Sequence, residues 1–139
     1  MKAVRAYAAL SERAGHDPAS GVRVSACRAL GRIGSEAAAE LLGRLALESE
    51  DAQVRGAACR ALGRIGSDMV LARMTEAMKD RRASIRSGAA FALGRIGDSR
   101  AVPILLEAME DEYSSVRWRA IQALGLIRAG EALDPLMEA

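Results

Sequence analysis

The side chains that most often carry acid–base, thiol or metal chemistry are sparse in this chain: one histidine, His16, and two cysteines, Cys27 and Cys59, beside eighteen carboxylates. A single histidine cannot build an imidazole metal cluster, and two cysteines 32 residues apart lack the short spacing of a zinc site. The glycine-rich run Gly-Arg-Ile-Gly lacks the Lys-Ser/Thr pair with which a phosphate loop engages a nucleotide. Carboxylate pairs such as Glu50–Asp51 and Glu110–Asp111 fall between helical stretches, where solvation of helix ends is the expected role. No catalytic residue, metal ligand or cofactor site is assigned, and the chain reads as a non-enzyme.

Arginine dominates the remaining chemistry, with Lys2 and Lys79 the only lysines among twenty basic residues. Arg23, Arg86 and Arg117 each follow an aspartate by six residues, at Asp17, Asp80 and Asp111. A guanidinium–carboxylate fork across that turn would tie one segment to the next and could satisfy carbonyls at helix ends. A second column holds Arg32, Arg64 and Arg95, with Arg28 and Arg60 one turn earlier. A helical wheel puts this column opposite the apolar stripe, so it faces solvent. It can be a solvated face, a contact for an acidic protein, or a phosphate-binding row. The acidic residues nearly cancel it, Leu126 interrupts it, and no aromatics are interleaved for base stacking, which disfavours nucleic acid.

The elements that position these groups repeat. Ala-Leu-Gly-Arg-Ile-Gly stands at residues 29–34, 61–66 and 92–97, and a degraded copy, Ala-Leu-Gly-Leu-Ile-Arg, at 123–128. The starts are 32, 31 and 31 residues apart, and Val22-Arg23, Val54-Arg55, Ile85-Arg86 and Val116-Arg117 keep the same intervals. A fixed period of this size marks a stacked repeat. Val54, Ala58, Ala61, Leu62 and Ile65 form an amphipathic stripe, and Gly66 is suited to end the helix. Ser67 or Asp68, and later Asp98 or Ser99, can cap the helix that follows. In that following helix of the third unit, Ala101, Val102, Leu105, Ala108 and Met109 form the inward stripe.

Two helices per unit result: first helices about 20–33, 52–65, 83–96 and 114–128, and second helices about 36–47, 68–79, 100–110 and 131–138. Residues 2–14 read as the second helix of a half-unit. The chain is therefore one domain, residues 1–139, made of a half-repeat at 1–16 and repeats at about 17–48, 49–79, 80–110 and 111–139. The last unit carries Trp118 and Arg119 where earlier units have small residues. This is either an end cap or a contact through Trp118 and Leu126, to a partner or to a second copy.

Half of the residues are hydrophobic and only four are aromatic, so the interior is built from Ala, Leu, Ile, Val and Met. The net charge of +2 is far from that of a protein that lives on phosphate. No apolar run reaches the length of a membrane span, and the first residues are too polar for a secretory signal. Cys27 and Cys59 hold equivalent positions, matched by Ala90 and Ile121. Stacked helices stand too far apart for a disulfide there. Both cysteines are read as buried reduced thiols, and the compartment as the cytoplasm.

Asp, then Val-Arg, then Ala-Leu-Gly-x-Ile-Gly, then Ala-Val-x-x-Leu resembles the short HEAT-like repeat of the phycobilisome-lyase type over residues 17–136. The resemblance implies an all-α, right-handed superhelix of stacked two-helix units, and roles mostly in protein–protein binding. Some members of that family attach bilin chromophores, which keeps an accessory lyase subunit open as an alternative. One branch hydroxylates a modified lysine with iron held by His-Glu pairs. His16 alone cannot supply them. Departures are Ser49 in place of the turn aspartate and Arg128 in place of the terminal glycine.

In such a family the second helices line the concave surface. Their outward positions are Ala37, Glu40, Leu41 and Arg44; Met69, Arg73 and Glu76; and Arg100, Ile104 and Glu107. These residues change from unit to unit while the framework repeats, and apolar groups mixed with Arg and Glu resemble an interface core with a charged rim. The candidate partner-binding residues are Leu41, Arg44, Met69, Arg73, Glu76, Arg100, Ile104 and Glu107. The partner expected is another protein, with self-association through the array ends as an option.

Overall fold

The glycine at the end of each full motif copy is what divides the chain into hairpins. Gly34, Gly66 and Gly97 have φ of 66°, 56° and 79°, a left-handed conformation that other residues rarely adopt. Each donates its N–H back to the carbonyl of the motif leucine, Leu30, Leu62 or Leu93, and so closes the first helix of its unit. The computed structural model describes residues 2–66 and 68–138, with side chains except at 3 and 129–138. Among the described residues all regular structure is helical.

The elements are α1 (Lys2–His16), α2 (Ser20–Ile33), α3 (Glu36–Glu48), α4 (Ala52–Ile65), α5 (Asp68–Ala77), α6 (Ala83–Ile96), a 3₁₀ turn (Ser99–Ala101), α7 (Val102–Ala108) and α8 (Ser114–Glu138). The first helices α2, α4 and α6 occupy the spans read from the periodicity. Asp98 rather than Ser99 makes the cap in the third unit, accepting from the Arg100 N–H at 2.9 Å. Ser67 lies outside the described residues. Ser35, outside the repeated motif, caps α3 by accepting from the Ala38 N–H.

The second helix expected at about 100–110 is split into the 3₁₀ turn and α7, α5 ends two residues short of the expected span and α1 runs two residues past it. A boundary in the last unit differs more. The sequence predicts a turn near residues 129–130, whereas α8 runs unbroken from Ser114 to Glu138. Arg128 holds the position of Gly34, Gly66 and Gly97, and an arginine there resists the left-handed stop. The helix continues because its terminator is missing.

The chain forms two compact units, Met1–Val70 and Leu71–Ala139, with the division inside α5. In the first unit α2 packs against α1, α3 and α4, and α3 packs on α4. Cys27, Leu30, Leu42, Val54, Cys59 and Leu62 are buried between them. In the second unit α8 packs along α6 and α7, over Leu93, Leu105, Val116, Ala123 and Ile127. Val22, equivalent to the buried Val54, is 42% exposed. Ile121, equivalent to the cysteines, is likewise exposed, at 58%.

The Ala-Leu-Gly motif works between copies. A Cβ added at Gly31 would lie 2.8 Å from Ala61 Cβ, and one at Gly94 would lie 2.7 Å from Ala123 Cα. Ala61 and Ala123 are themselves the alanines of the next copy. Small residue meets small residue, and within each unit the paired first helices, α2 with α4 and α6 with α8, approach until their backbones nearly touch. At Gly125, in the last copy, an added Cβ would meet nothing within 4 Å.

Candidate functional site

Two of the Val-Arg arginines, Arg23 and Arg86, are joined to carboxylates, but not to the ones that sequence spacing selects. Each guanidinium reaches back six residues to a backbone carbonyl: Arg23 to Asp17 (2.6 Å), Arg55 to Ser49 (2.6 Å), Arg86 to Asp80 (2.8 Å) and Arg117 to Asp111 (2.8 Å). The turn aspartates are occupied otherwise. Asp17, Asp80 and Asp111 accept the N–H two residues ahead, from Ala19, Arg82 and Tyr113.

For Arg23 and Arg86 the carboxylate therefore comes from the following repeat. Arg23 donates to Asp51 at 2.8 Å, and Arg86 forks onto Asp111 at 2.8 and 3.1 Å. Arg86 thus joins two turns, since it also holds the Arg81 carbonyl at 2.9 Å. Asp17 pairs instead with Arg13, on its own helix side, at 2.8 Å. These clamps correct two expectations: the forks run between neighbouring repeats, and Asp51 and Asp111 are structural groups rather than mere solvation of helix ends.

The electrostatics agree with a structural role. The Ser20 hydroxyl, the Gln53 N–H and the Arg23 guanidinium hold Asp51 down to about 2. Arg82, through side chain and backbone, holds Asp80 down to about 2. The Arg86 fork lowers Asp111 and is itself driven further toward its charged form. Groups fixed as ions well away from neutrality are poor proton carriers. Burial pushes the Cys27 thiol up to about 11, far from a reactive thiolate. Cys27 and Cys59 are both buried, and neither is in a disulfide. His16 is exposed at the end of α1. Among the described residues no group of three or more His, Cys, Asp or Glu could hold a metal ion.

The candidate partner-binding residues lie at the surface of their own units. In the first unit Arg44 is exposed, while Leu41 and Met69 are half-buried. In the second, Arg73, Glu76, Arg100 and Glu107 are exposed and Ile104 is half-buried. Arg100 is drawn to Asp98 (Nη2 to Oδ2, 2.8 Å), which orients it along the 3₁₀ turn. The Tyr7 hydroxyl donates to the Ala37 carbonyl at 3.2 Å, fastening α1 beside the second helix α3.

Of the two end residues, Trp118 is 57% exposed and Leu126 43%. They differ in setting. A Cβ at Gly94 would come within 3.4 Å of Leu126 Cδ1, so part of Leu126 closes the α6–α8 contact. Trp118 belongs to a stack: the Arg119 guanidinium lies 4.8 Å from both the Phe91 and Trp118 ring centres, and Arg95 lies 5.3 Å from Phe91. Aromatics and arginines are therefore interleaved in the second unit, contrary to the sequence expectation. Residues 91 and 119 are remote in sequence and meet only because α6 and α8 pair.

The family model for HEAT repeats matches residues 7–89 and again 71–139. The chain belongs to the HEAT-repeat family. Among solved structures, human deoxyhypusine hydroxylase in complex with glycerol is similar, with 23% identity and a TM-score of 0.60 over 88% of this chain. That likeness is one of fold, and this chain spans 43% of the hydroxylase chain. An engineered protein is 24% identical over 89% of this chain and 63% of its own, with a TM-score of 0.46. No curated protein matches. HEAT repeats generally mediate protein–protein interaction or scaffolding, and among the described residues no helix is long and apolar enough to cross a membrane.

Proposed function

We propose that this chain is a non-catalytic protein-binding or scaffolding module that grips its partner through the outward residues of its second helices. The carrying observation is a contrast within one sequence. The framework Val-Arg and Ala-Leu-Gly recurs and, within each unit, clamps one copy to another and lets their helices approach, whereas Leu41, Arg44, Met69, Arg73, Glu76, Arg100, Ile104 and Glu107 vary from unit to unit. Packing does not dictate them, and apolar centres edged by opposite charges suit a protein interface. The sparse acid–base chemistry, one exposed histidine with buried thiols and clamped carboxylates, supports the non-catalytic part of the reading. A cytoplasmic setting fits two buried cysteines that form no disulfide.

The test is affinity capture with the wild type and with a Leu41→Ala/Arg73→Ala/Ile104→Ala variant, read by mass spectrometry. The variant loses the partners that the wild type retains. Equal capture by both would remove the second-helix surface from consideration.

A further inference from the structure

The net charge of +2 conceals a segregation by helix layer. Helices α2 and α4 carry Arg23, Arg28, Arg32, Arg55, Arg60 and Arg64, and neither holds an aspartate or glutamate. Arg23 and Arg55 are spent on the turn clamps. The others project outward, and three of them, Arg28, Arg60 and Arg64, surround an open notch of about 90 Å³ floored by Ala57 and Ala61. The notch follows from the motif: the close approach at Gly31 and Ala61 brings α2 against α4, and an alanine floor leaves a hollow between long side chains. Among the described residues, none pairs with these three guanidinium groups.

The second unit shows that the hollow is not an automatic product of the repeat. There the equivalents of Arg28, Ala57, Arg60, Ala61 and Arg64 are Phe91, Arg119, Gln122, Ala123 and Leu126. Arg119 stacks on Phe91 and donates to Gln122 Oε1 at 3.1 Å, filling the space with the chain's own atoms. The first unit keeps the same place open and lines it with cations.

We infer that this Arg28/Arg60/Arg64 notch is a docking point for side-chain carboxylates of an acidic segment in a protein partner. The inference rests on the protein-binding reading above and adds a contact on the first-helix layer. Planar guanidinium forks match carboxylates bidentately, and the alanine floor accepts the methylenes of a glutamate. Neither α2 nor α4 offers an aromatic ring on which a base could stack, which favours an acidic polypeptide over single-stranded nucleic acid.

Fluorescence anisotropy with a labelled oligoglutamate peptide tests this on the full chain. Wild type binds saturably at low salt, and binding declines as salt is added. An Arg28→Glu/Arg60→Glu variant, checked for unchanged helicity by circular dichroism, binds about tenfold or more weakly. Arg95→Glu, an exposed arginine outside the notch, stays within about twofold of wild type. Absence of binding, equal loss in the Arg95→Glu control, or tighter binding of oligothymidylate than of the peptide would each overturn the inference. The notch variant is also carried through the affinity capture. Full capture with no peptide binding sinks the notch alone. Peptide binding beside undiminished capture by the triple alanine variant sinks the second-helix reading alone.

Discussion

Gly94→Ala and Gly125→Ala make the same chemical change at the same motif position, yet their effects on stability should have opposite signs. Both glycines lie inside helices, α6 and α8, so alanine gains up to about 1 kcal/mol of helix propensity at either site. At Gly125 that gain stands unopposed, because a new methyl meets nothing within 4 Å. At Gly94 the methyl would sit 2.7 Å from Ala123 Cα and 2.8 Å from its Cβ, closer than real Cβ contacts allow. The obstacle is backbone, so α6 and α8 must separate, and overpacking of this kind costs about 1–3 kcal/mol. Gly31→Ala should fall between them, since Ala61 Cβ is 2.8 Å away but its Cα is 3.2 Å. Thermal melts followed by circular dichroism give the order: Gly125→Ala highest, then wild type, Gly31→Ala and Gly94→Ala. The extremes should differ by roughly 5 °C or more. Adding Ala123→Gly to Gly94→Ala restores only part of the loss, because the Cα obstacle remains. If Gly94→Ala melts as high as Gly125→Ala, the close-approach account of the motif is wrong.

Other outcomes follow from the clamps and thiols. Arg86→Ala removes a donor from the carbonyls of Asp80 and Arg81 and leaves the largely buried Asp111 carboxylate with the Tyr113 N–H but no countercharge in its fork, so urea denaturation should show a loss of about 2–3 kcal/mol. Arg13→Ala, whose side chain is 65% exposed in its i,i+4 pair with Asp17, should change stability by less than about 0.5 kcal/mol. Acid titration has a definite sign. Asp51 and Asp80 fall to about 2 in the folded chain, and Asp17, Asp98 and Asp111 are also lowered. The unfolded chain therefore binds more protons, and the stability these groups provide is complete above about pH 5 and lost toward pH 2. Urea midpoints across that window should fall steadily with pH, and less steeply in Asp111→Asn; a flat profile would contradict the clamps. Cys27, with its pKa pushed up to about 11 by burial, should react with a thiol reagent only after unfolding; labelling in native buffer at the rate of free cysteine would contradict its placement.

The sequence makes the helical hairpins legible because the features that create them are local and recur. The αL glycines at 34, 66 and 97, the caps and the apolar stripe mark the helix spans almost to the residue. The continuous α8 is readable in principle, since Arg128 stands where a glycine would stop the helix. The clamp partners were harder to see. Spacing of six residues placed Arg23 beside Asp17 and Arg86 beside Asp80, yet those carboxylates are taken by N–H groups two residues ahead. The true partners, Asp51 and Asp111, lie 28 and 25 residues away and come near only when repeats stack. The stack of Phe91, Arg119 and Trp118 and the Arg28/Arg60/Arg64 notch are of the same kind, made by pairing first helices. What one helix does alone is written in its own residues; what two helices make between them is not.

The most direct test of the binding account is site-specific photocrosslinking in cells. A photoreactive amino acid at Ile104, half-buried on a second helix, is compared with one at Ile121, exposed on α8. A discrete crosslinked species carrying one partner protein from Ile104, and none from Ile121, is the predicted result. Crosslinks from Ile121 alone would move the interface off the second helices and contradict it.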